Sequence, residues 1–318
     1  MFDVSTPEQP IPSAQRKREK RNVDGWVVLD KPIGMTSTHA VSVVKRAFAA
    51  KKAGHAGTLD PLATGVLPIA LGEATKTVSF VMDGRKSYRF TVRWGQETDT
   101  DDAEGSVIAT LDARPDVEAI RAALPRFTGT IMQQPPKFSA VKIAGERAYD
   151  LAREGEAVSL EPRPVEIHRL DLVDVPDADH AELEAGCGKG TYVRALARDL
   201  GRALGTCVHV VALRRTAVGP FTAEAAVTVD ELTALAGDGV LTAPILLPVA
   251  AGLAALPALA VSRADAARLA RGQAVLLRGR DAPVLQGCVA VSTQGALVAL
   301  AEVEQGELRP RRIFNLAP

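Results

Sequence analysis

The sequence predicts an α+β protein with a large and a small domain. At 318 residues the chain exceeds the usual size of one domain. Strand-like runs and amphipathic helices alternate through most of it. Residues 249–318 differ, since they hold one short helix, begun by Ser262 and Asp265, and three strand-like runs at 284–291, 296–303 and 309–314. The boundary is expected near the Ala, Gly and Pro-rich residues 247–257.

Composition excludes several classes of protein. Hydrophobic residues make up 47% and charged residues 24%, as in globular proteins. No apolar run is long enough to span a bilayer and no signal peptide is evident, so we expect a cytoplasmic protein without a membrane partner. Three cysteines and five scattered histidines match no disulfide framework or metal-ligand spacing, and no nucleotide-binding motif is present. We therefore expect no metal or cofactor.

Residues 1–22 are predicted to be a flexible basic tail. They hold three prolines, the run from Arg16 to Arg21 and few large apolar side chains, so burial cannot offset the entropy of ordering. Either a solvated extension or a phosphate-contacting arm fits this composition.

A strand and a helix are predicted next. Residues 26–29 read as a buried strand, and Thr36 or Ser37 can cap a helix whose apolar side chains recur at helical spacing. Basic residues on and after this helix place positive charge at the entrance to the segment that follows: Lys45, Arg46, Lys51 and Lys52.

Residues 54–68 are the strongest candidate for a catalytic segment. They hold one carboxylate, Asp60, in a run that has too many Gly and Pro residues for an ordinary helix or strand. A carboxylate can act as a nucleophile, a general base or an electrostatic stabiliser. Asp before Pro is equally typical of a structural turn, and the residues alone leave both interpretations open.

Two further side chains have suitable chemistry. Tyr88 begins an alternating strand, residues 88–94, where it could belong to the core or to a site. Arg194 lies near the start of a helix and off its apolar stripe, so we expect it to be solvated or to reach a partner. A nearby Arg would keep a carboxylate ionised.

Residues 99–105 are acidic and invite comparison with a calcium loop. Ala103 and Thr110 stand where the EF-hand pattern needs oxygen ligands, the last of them a Glu. We therefore expect an acidic surface loop, segregated from the basic side chains and facing away from the surface that they form.

Residues 130–164 form a long segment that combines basic and aromatic side chains. Lys137, Lys142 and Arg147 lie near Phe138 and Tyr149. Such a mixture can grip a nucleic acid strand through phosphates and stacked bases, although an ordinary surface hairpin has the same composition.

Six blocks, in order, resemble the TruB family of bacterial tRNA pseudouridine synthases. The central block is Gly54-His-Ala-Gly-Thr-Leu-Asp60-Pro-Leu-Ala-Thr-Gly65. The others are residues 29–37, 86–89, 135–142 together with 147–149, 190–194 and 213–216. The resemblance covers residues 23–248 strongly, whereas residues from about 256 resemble a PUA-type RNA-binding module more weakly.

This resemblance implies a fold and an organisation. The fold would be that of pseudouridine synthases, with a large mixed or antiparallel central sheet flanked by helices and a small C-terminal PUA-like domain. The implied domains are a tail over 1–22, a catalytic domain over 23–248 with an RNA-gripping insertion at about 130–164, and an RNA-binding domain over 249–318.

The resemblance also implies an activity. Such enzymes convert uridine 55 of the tRNA T loop to pseudouridine without cofactor or metal, and need no obligatory protein partner; we expect a monomer. Asp60 would be the nucleophile, Tyr88 would stack on the flipped base and assist proton transfer, and Arg194 would pair with Asp60. The implied RNA contacts are His55, Lys31, Leu213, Lys137, Lys142, Arg147 and Tyr192.

Three other functions stay open beside isomerisation by a stand-alone enzyme. The protein could act mainly in folding tRNA, with the same segment gripping the T loop. It could hydrolyse a glycosidic bond, although the second acid that such enzymes use is not evident. It could also depend on a guide RNA, since guide-dependent isomerases share a similar central motif.

Overall fold

The computed structural model describes residues 19–139, 142–143, 146–147, 160–237, 245–277 and 285–316. Six α-helices lie in these ranges: α1 Ser37–Ala47, α2 Val78–Asp83, α3 Val117–Ala123, α4 Val193–Ala203, α5 Val229–Ala236 and α6 Arg263–Ala270. Short 3-10 helices span Gly72–Thr77, Leu124–Phe127, Ala223–Ala225 and Val249–Leu253. No helix in the described ranges is both long and apolar enough to cross a membrane.

The strands form one large sheet, one smaller sheet and two hairpins. In chain order they are β1 Gly25–Lys31, β2 Ala53–His55, β3 Thr64–Leu71, β4 Lys86–Trp94, β5 Gln96–Thr98, β6 Val107–Thr110, β7 Gly129–Gln133, β8 Lys142–Ile143, β9 Glu146–Arg147, β10 Arg163–Asp177, β11 His180–Cys187, β12 Val208–Val218, β13 Phe221–Thr222, β14 Ala258–Ala260, β15 Val275–Leu276, β16 Gly287–Thr293, β17 Ala296–Glu304 and β18 Glu307–Ile313.

The large sheet is mixed, as expected. Its order is β1-β3-β12-β4-β11-β10-β7, with β2 paired to β3 and β13 paired to β12. The ladder between β3 and β12 is parallel, and the other ladders of this sheet are antiparallel. The parallel ladder places the end of the Asp60 segment directly beside Arg214 and Arg215.

Strand β4 lies in the middle of this sheet and shows the predicted alternation. Tyr88, Phe90, Val92 and Trp94 are all buried, whereas the residues between them are partly or fully exposed. Because β4 pairs with β12 on one side and β11 on the other, its buried face is fixed in register by two neighbours.

The expectation that residues 54–68 would avoid regular structure is wrong at both ends, since Gly54 and His55 already belong to strand β2. Residues 64–71 form the buried strand β3, paired with β1 from Gly65 to Leu71. Pro68 has no N–H to donate, but its carbonyl accepts from Ala56 N at 2.9 Å, which keeps it in the sheet. Gly65 has φ +98°, and a Cβ there would lie 2.2 Å from Arg215 O. Tertiary pairing thus overrides the turn-forming tendency of Gly and Pro.

Helices α1 and α3 begin at the capping residues that the sequence predicted. Thr36 is the N-cap of α1 and its hydroxyl accepts from His39 N at 3.2 Å. Asp116 caps α3, which ends before Pro125. These ends were predictable because the capping side chain and the capped N–H lie within three residues.

The smaller sheet, β14-β16-β17-β18-β15, forms the C-terminal β-rich part and contains the three predicted strands with slightly shifted ends. One cluster of buried residues closes it against α6 through Leu269. A second cluster joins it to the large sheet, because Leu300 and Phe314 lie in the same buried group as Trp26. At this contact a Cβ on Gly252 would come within 2.6 Å of Trp26 Nε1. We call these residues the shared core.

Candidate active site

Asp60 lies in the connection between β2 and β3, with 40% of its side chain exposed. The backbone on both sides of it is held. Ser37 Oγ donates to Leu59 O at 2.9 Å and accepts from Leu59 N at 2.8 Å. On the other side Pro61 O accepts from Gly34 N at 2.8 Å and from Lys31 Nζ at 3.3 Å. These bonds fix where the carboxylate points.

Arg215 holds the segment that precedes Asp60. It is almost fully buried on β12, and its guanidinium donates to Gly57 O at 3.1 Å, Thr58 O at 3.2 Å and Val66 O at 2.8 Å. Although block 213–216 was part of the resemblance, Arg215 was not named among the expected site residues. An arginine within an otherwise β-forming run is the signal that could have found it, since a buried charge needs partners.

Arg194 is brought to Asp60 by α4. Its Nη2 lies 2.8 Å from Asp60 Oδ2, and its Nη1 lies 3.4 Å from Asp102 Oδ2. It also donates to Thr100 O at 2.9 Å and to Phe138 O at 3.0 Å. The position of Arg194 off the apolar stripe predicted either a solvated side chain or one that reaches a partner. Only 5% of Arg194 is exposed, so the side chain is not solvated but reaches Asp60. The acidic loop and the start of the insertion cover it.

The acidic loop does not face away from the site, and that expectation is wrong. Asp102 is 2% exposed and Asp101 is 6% exposed. Besides the contact of Asp102 with Arg194, Asp101 Oδ2 accepts from Arg198 Nη1 at 2.9 Å. Burial raises the pKa of Asp101, an effect that the charge of Arg198 opposes. Two arginines one turn apart on α4 therefore neutralise two consecutive buried carboxylates.

Tyr88 lies on β4 beneath the Asp60 loop. Burial raises the pKa of its phenol, the charge and hydrogen bond of Arg215 lower it, and the charge of Asp60 raises it further. The raised pKa favours a neutral phenol at physiological pH. A neutral phenol can stack on a nucleobase or relay a proton, but it cannot by itself remove a proton as a general base does.

Lys31 has no exposed surface. Its Nζ donates to Met35 O at 2.7 Å, Pro32 O at 2.9 Å and Pro61 O at 3.3 Å. Burial lowers its pKa to about 8, while the charge of Asp60 opposes that shift. The structure thus places Lys31 under the loop, and any effect on RNA would pass through the loop.

The remaining expected contacts surround this centre. His55 ends β2, and burial together with Arg215 lowers its pKa, which favours the neutral imidazole. Leu213 is nearly buried on β12, beside the ladder to β3. Tyr192 is the N-cap of α4, with the Arg163 guanidinium 5.5 Å from its ring centroid. Lys137 is exposed.

The insertion is described only in part. Lys142 and Arg147 face each other in the ladder between β8 and β9, but their side chains, and all of Tyr149, lie outside the described residues. The same holds for residues 1–18 of the basic tail. In the described ranges no three His, Cys, Asp or Glu residues lie together as a metal-binding group.

The centre therefore combines a half-exposed carboxylate, a buried arginine and a neutral phenol. Such a set can attack or stabilise an electron-poor carbon and hold a flat ring. A family model described as TruB family pseudouridylate synthase (N terminal domain) matches residues 45–193. A second, described as tRNA pseudouridylate synthase B C-terminal domain, matches residues 194–254.

The chain belongs to the TruB family. Curated relatives named tRNA pseudouridine synthase B cover nearly its whole length. That of Bradyrhizobium diazoefficiens is 67% identical over 95% of this chain and 89% of its own. That of Agrobacterium fabrum is 54% identical over 96% of this chain and 99% of its own. The activity of the TruB family is isomerisation of uridine to pseudouridine in tRNA.

Solved structures show the same fold. An H/ACA RNP bound to a substrate RNA containing 2'-deoxyuridine holds a chain that is 25% identical to this one, with a TM-score of 0.70. That match covers 92% of this chain and 85% of the other. An archaeal box H/ACA sRNP Nop10-Cbf5 complex matches with 25% identity and a TM-score of 0.69, over 91% and 85% of the two chains. The expected pseudouridine synthase fold is thereby confirmed.

Proposed function

We propose that this protein converts uridine 55 in the T loop of tRNA to pseudouridine, with Asp60 as nucleophile. The observation that carries the proposal is the pairing of Asp60 Oδ2 with Arg194 Nη2 at 2.8 Å, in a loop clamped on both sides of Asp60. The relatives named tRNA pseudouridine synthase B supply the substrate class.

The reaction breaks one bond and forms another on the same nucleotide. The Asp60 carboxylate attacks C1′ and uracil leaves with the electron pair of the glycosidic bond. The base turns and C5 bonds to C1′ as the Asp60 carboxylate leaves. The proton on C5 is then lost and N1, which kept the electron pair of the broken bond, takes up a proton. The atoms balance without a cofactor, so we propose none.

The neighbours of Asp60 have separate tasks. Arg194 holds the carboxylate in one orientation and opposes negative charge there. Tyr88 stacks on the flipped base, and as a neutral phenol it assists loss of the C5 proton by relay. Flipping the base costs a few kcal/mol, which stacking and phosphate contacts can offset.

RNA contacts are proposed outside this centre. His55, Leu213 and Tyr192 lie around it, and Lys137, Lys142 and Arg147 belong to the insertion that would grip the T arm. We assign the segment from 249 onward to RNA binding as a PUA-like domain, and the protein to the cytoplasm as a monomer that needs no protein partner.

Release of tritium from C5-labelled uridine in tRNA tests the proposal. The wild-type protein alone should release tritium from one site, mapped to uridine 55, and Asp60→Asn should release none while still binding tRNA. Asp83→Asn, an exposed carboxylate paired with Lys189, is the matched control and should keep full activity. Full activity of Asp60→Asn would refute the mechanism, free uracil as product would indicate a hydrolase, and no activity on bare transcript would point to a guide-dependent enzyme.

A further inference from the structure

Helix α4 lacks the usual means of fixing its first turn. Its N-cap residue is Tyr192, whose side chain makes no capping hydrogen bond. Two residues later the helix supplies Arg194, whose guanidinium reaches Asp60. The position of the guanidinium therefore depends on something other than a local cap, because the free N–H groups of a first turn need partners.

Gln133 provides that fixation from the edge of the large sheet. Its Oε1 accepts from Tyr192 N at 2.9 Å and its Nε2 donates to Tyr192 O at 3.1 Å. The orientation of the amide is determined by the backbone, since an N–H can only donate and a carbonyl can only accept. Only 1% of Gln133 is exposed, so water does not compete for these bonds.

The carbonyl that Gln133 contacts is also the first acceptor of the helix. Tyr192 O accepts from Leu196 N at 3.0 Å, so it receives two hydrogen bonds. Gln133 thereby ties the beginning of α4 to β7, which in turn pairs with β10. Ser37 bonds to the N–H and carbonyl of Leu59 in the same way. Asp60 thus lies one residue after Leu59, and Arg194 two residues after Tyr192, and each of these preceding residues is held at both backbone groups by one side chain.

We propose that Gln133 is a positioning residue for the isomerisation, acting through Tyr192 and the first turn of α4 on Arg194. It does not touch the reacting atoms. The inference rests on the proposed role of the Asp60 and Arg194 pair. Displacing a catalytic group by about 1 Å can reduce a rate by 10²-fold, so loss of this amide should act on turnover more than on tRNA binding.

Two substitutions test the role. Gln133→Met keeps the length of the side chain and removes both hydrogen bonds; kcat should fall by at least tenfold while the Kd for tRNA changes less than threefold. Gln96→Met is the matched control, because Gln96 is a partly exposed residue of β5 outside the insertion, and its carbonyl still accepts from His209. Its kcat should stay within twofold of wild type.

Gln133→Glu separates positioning from a general loss of structure. A neutral carboxylic acid can donate to Tyr192 O and accept from Tyr192 N as the amide does, but a carboxylate cannot donate. The kcat of this variant relative to wild type should therefore rise as the pH falls from 8 to 5, with thermal unfolding followed in parallel.

Failure of the positioning role and failure of the proposed function give different results, because the proposed function is tested on the wild-type protein and the positioning role on the Gln133 variants. If wild type releases no tritium from tRNA, the proposed function fails. If wild type is active and Gln133→Met keeps its kcat, the positioning role is refuted. It is also refuted if Gln133→Met loses kcat and tRNA affinity together, or if the relative activity of Gln133→Glu has no pH dependence.

Discussion

The hydroxyl of Ser37 is expected to hold the Asp60 loop in place, and the stability lost on removing this hydroxyl can be predicted. Ser37→Ala removes two hydrogen bonds to Leu59, of 2.8 and 2.9 Å, in a place where Leu59 is 4% exposed. A buried backbone group left without its partner costs about 1–3 kcal/mol, so the loss of both bonds should cost at least about 2 kcal/mol of unfolding free energy. Because Thr36 remains the N-cap of α1, helix capping is unchanged.

The assay combines stability with turnover. Urea unfolding should show the loss of at least about 2 kcal/mol. Tritium release should fall at least tenfold, because Asp60 directly follows Leu59, whose backbone is no longer held. Ser42→Ala is the control, since Ser42 is exposed on the same helix and its hydroxyl bonds only within α1. If Ser37→Ala stays within 0.5 kcal/mol of this control, roughly the scatter of surface substitutions, and keeps at least half of its rate, the clamping argument is wrong.

Two further predictions concern the ladder between β3 and β12 and the buried Lys31. Urea unfolding should show that Gly65→Ala destabilises the protein by at least about 2 kcal/mol more than Gly129→Ala. Both glycines have positive φ, but only at Gly65 would a Cβ meet the backbone, at 2.2 Å from Arg215 O. Equal losses in the two variants would contradict this. The pKa of Lys31 is lowered to about 8, so between pH 8 and its unfolded value near 10.5 the unfolded chain binds more protons, and this group adds stability as pH rises. Urea unfolding at pH 7 to 10 should show a steeper rise for wild type than for Lys31→Met; parallel curves would exclude the shift.

Elements with local signals were predictable from the sequence. Strand β4 alternates strictly between buried and more exposed positions, and the ends of α1 and α3 are marked by Thr36 and Asp116. In each case the residues that decide the structure lie within one element. Strand β3 was missed because Gly65 and Pro68 signal a turn locally, whereas its regular conformation is imposed by β1, β2 and β12.

The site was predictable only in part. Asp60 stood out by residue type and Arg194 by resemblance, but the surroundings of Arg194 come from distant segments. Arg194 and Thr100 are 94 positions apart, and Arg215 and Gly57 are 158 apart. No local pattern links such residues. The sequence contains two neighbouring acids, Asp101 and Asp102, and two arginines four residues apart, Arg194 and Arg198. Nothing in the sequence shows that these two pairs meet, so the acidic loop was assigned to the surface.

The shared core has a consequence for experiments that dissect the protein. Trp26 on β1 and Phe314 at the C-terminal end lie in one buried group, and Lys76 Nζ bonds Ile313 O at 2.8 Å across the same contact. Deleting the C-terminal sheet would remove Leu300 and Phe314 from this group and expose the apolar side chains that pack against them. A truncated protein would then lose solubility and rigidity together with any RNA contact. The contribution of the C-terminal sheet to RNA recognition is better measured by charge substitutions at the exposed arginines of strand β18, Arg309, Arg311 and Arg312, than by its removal.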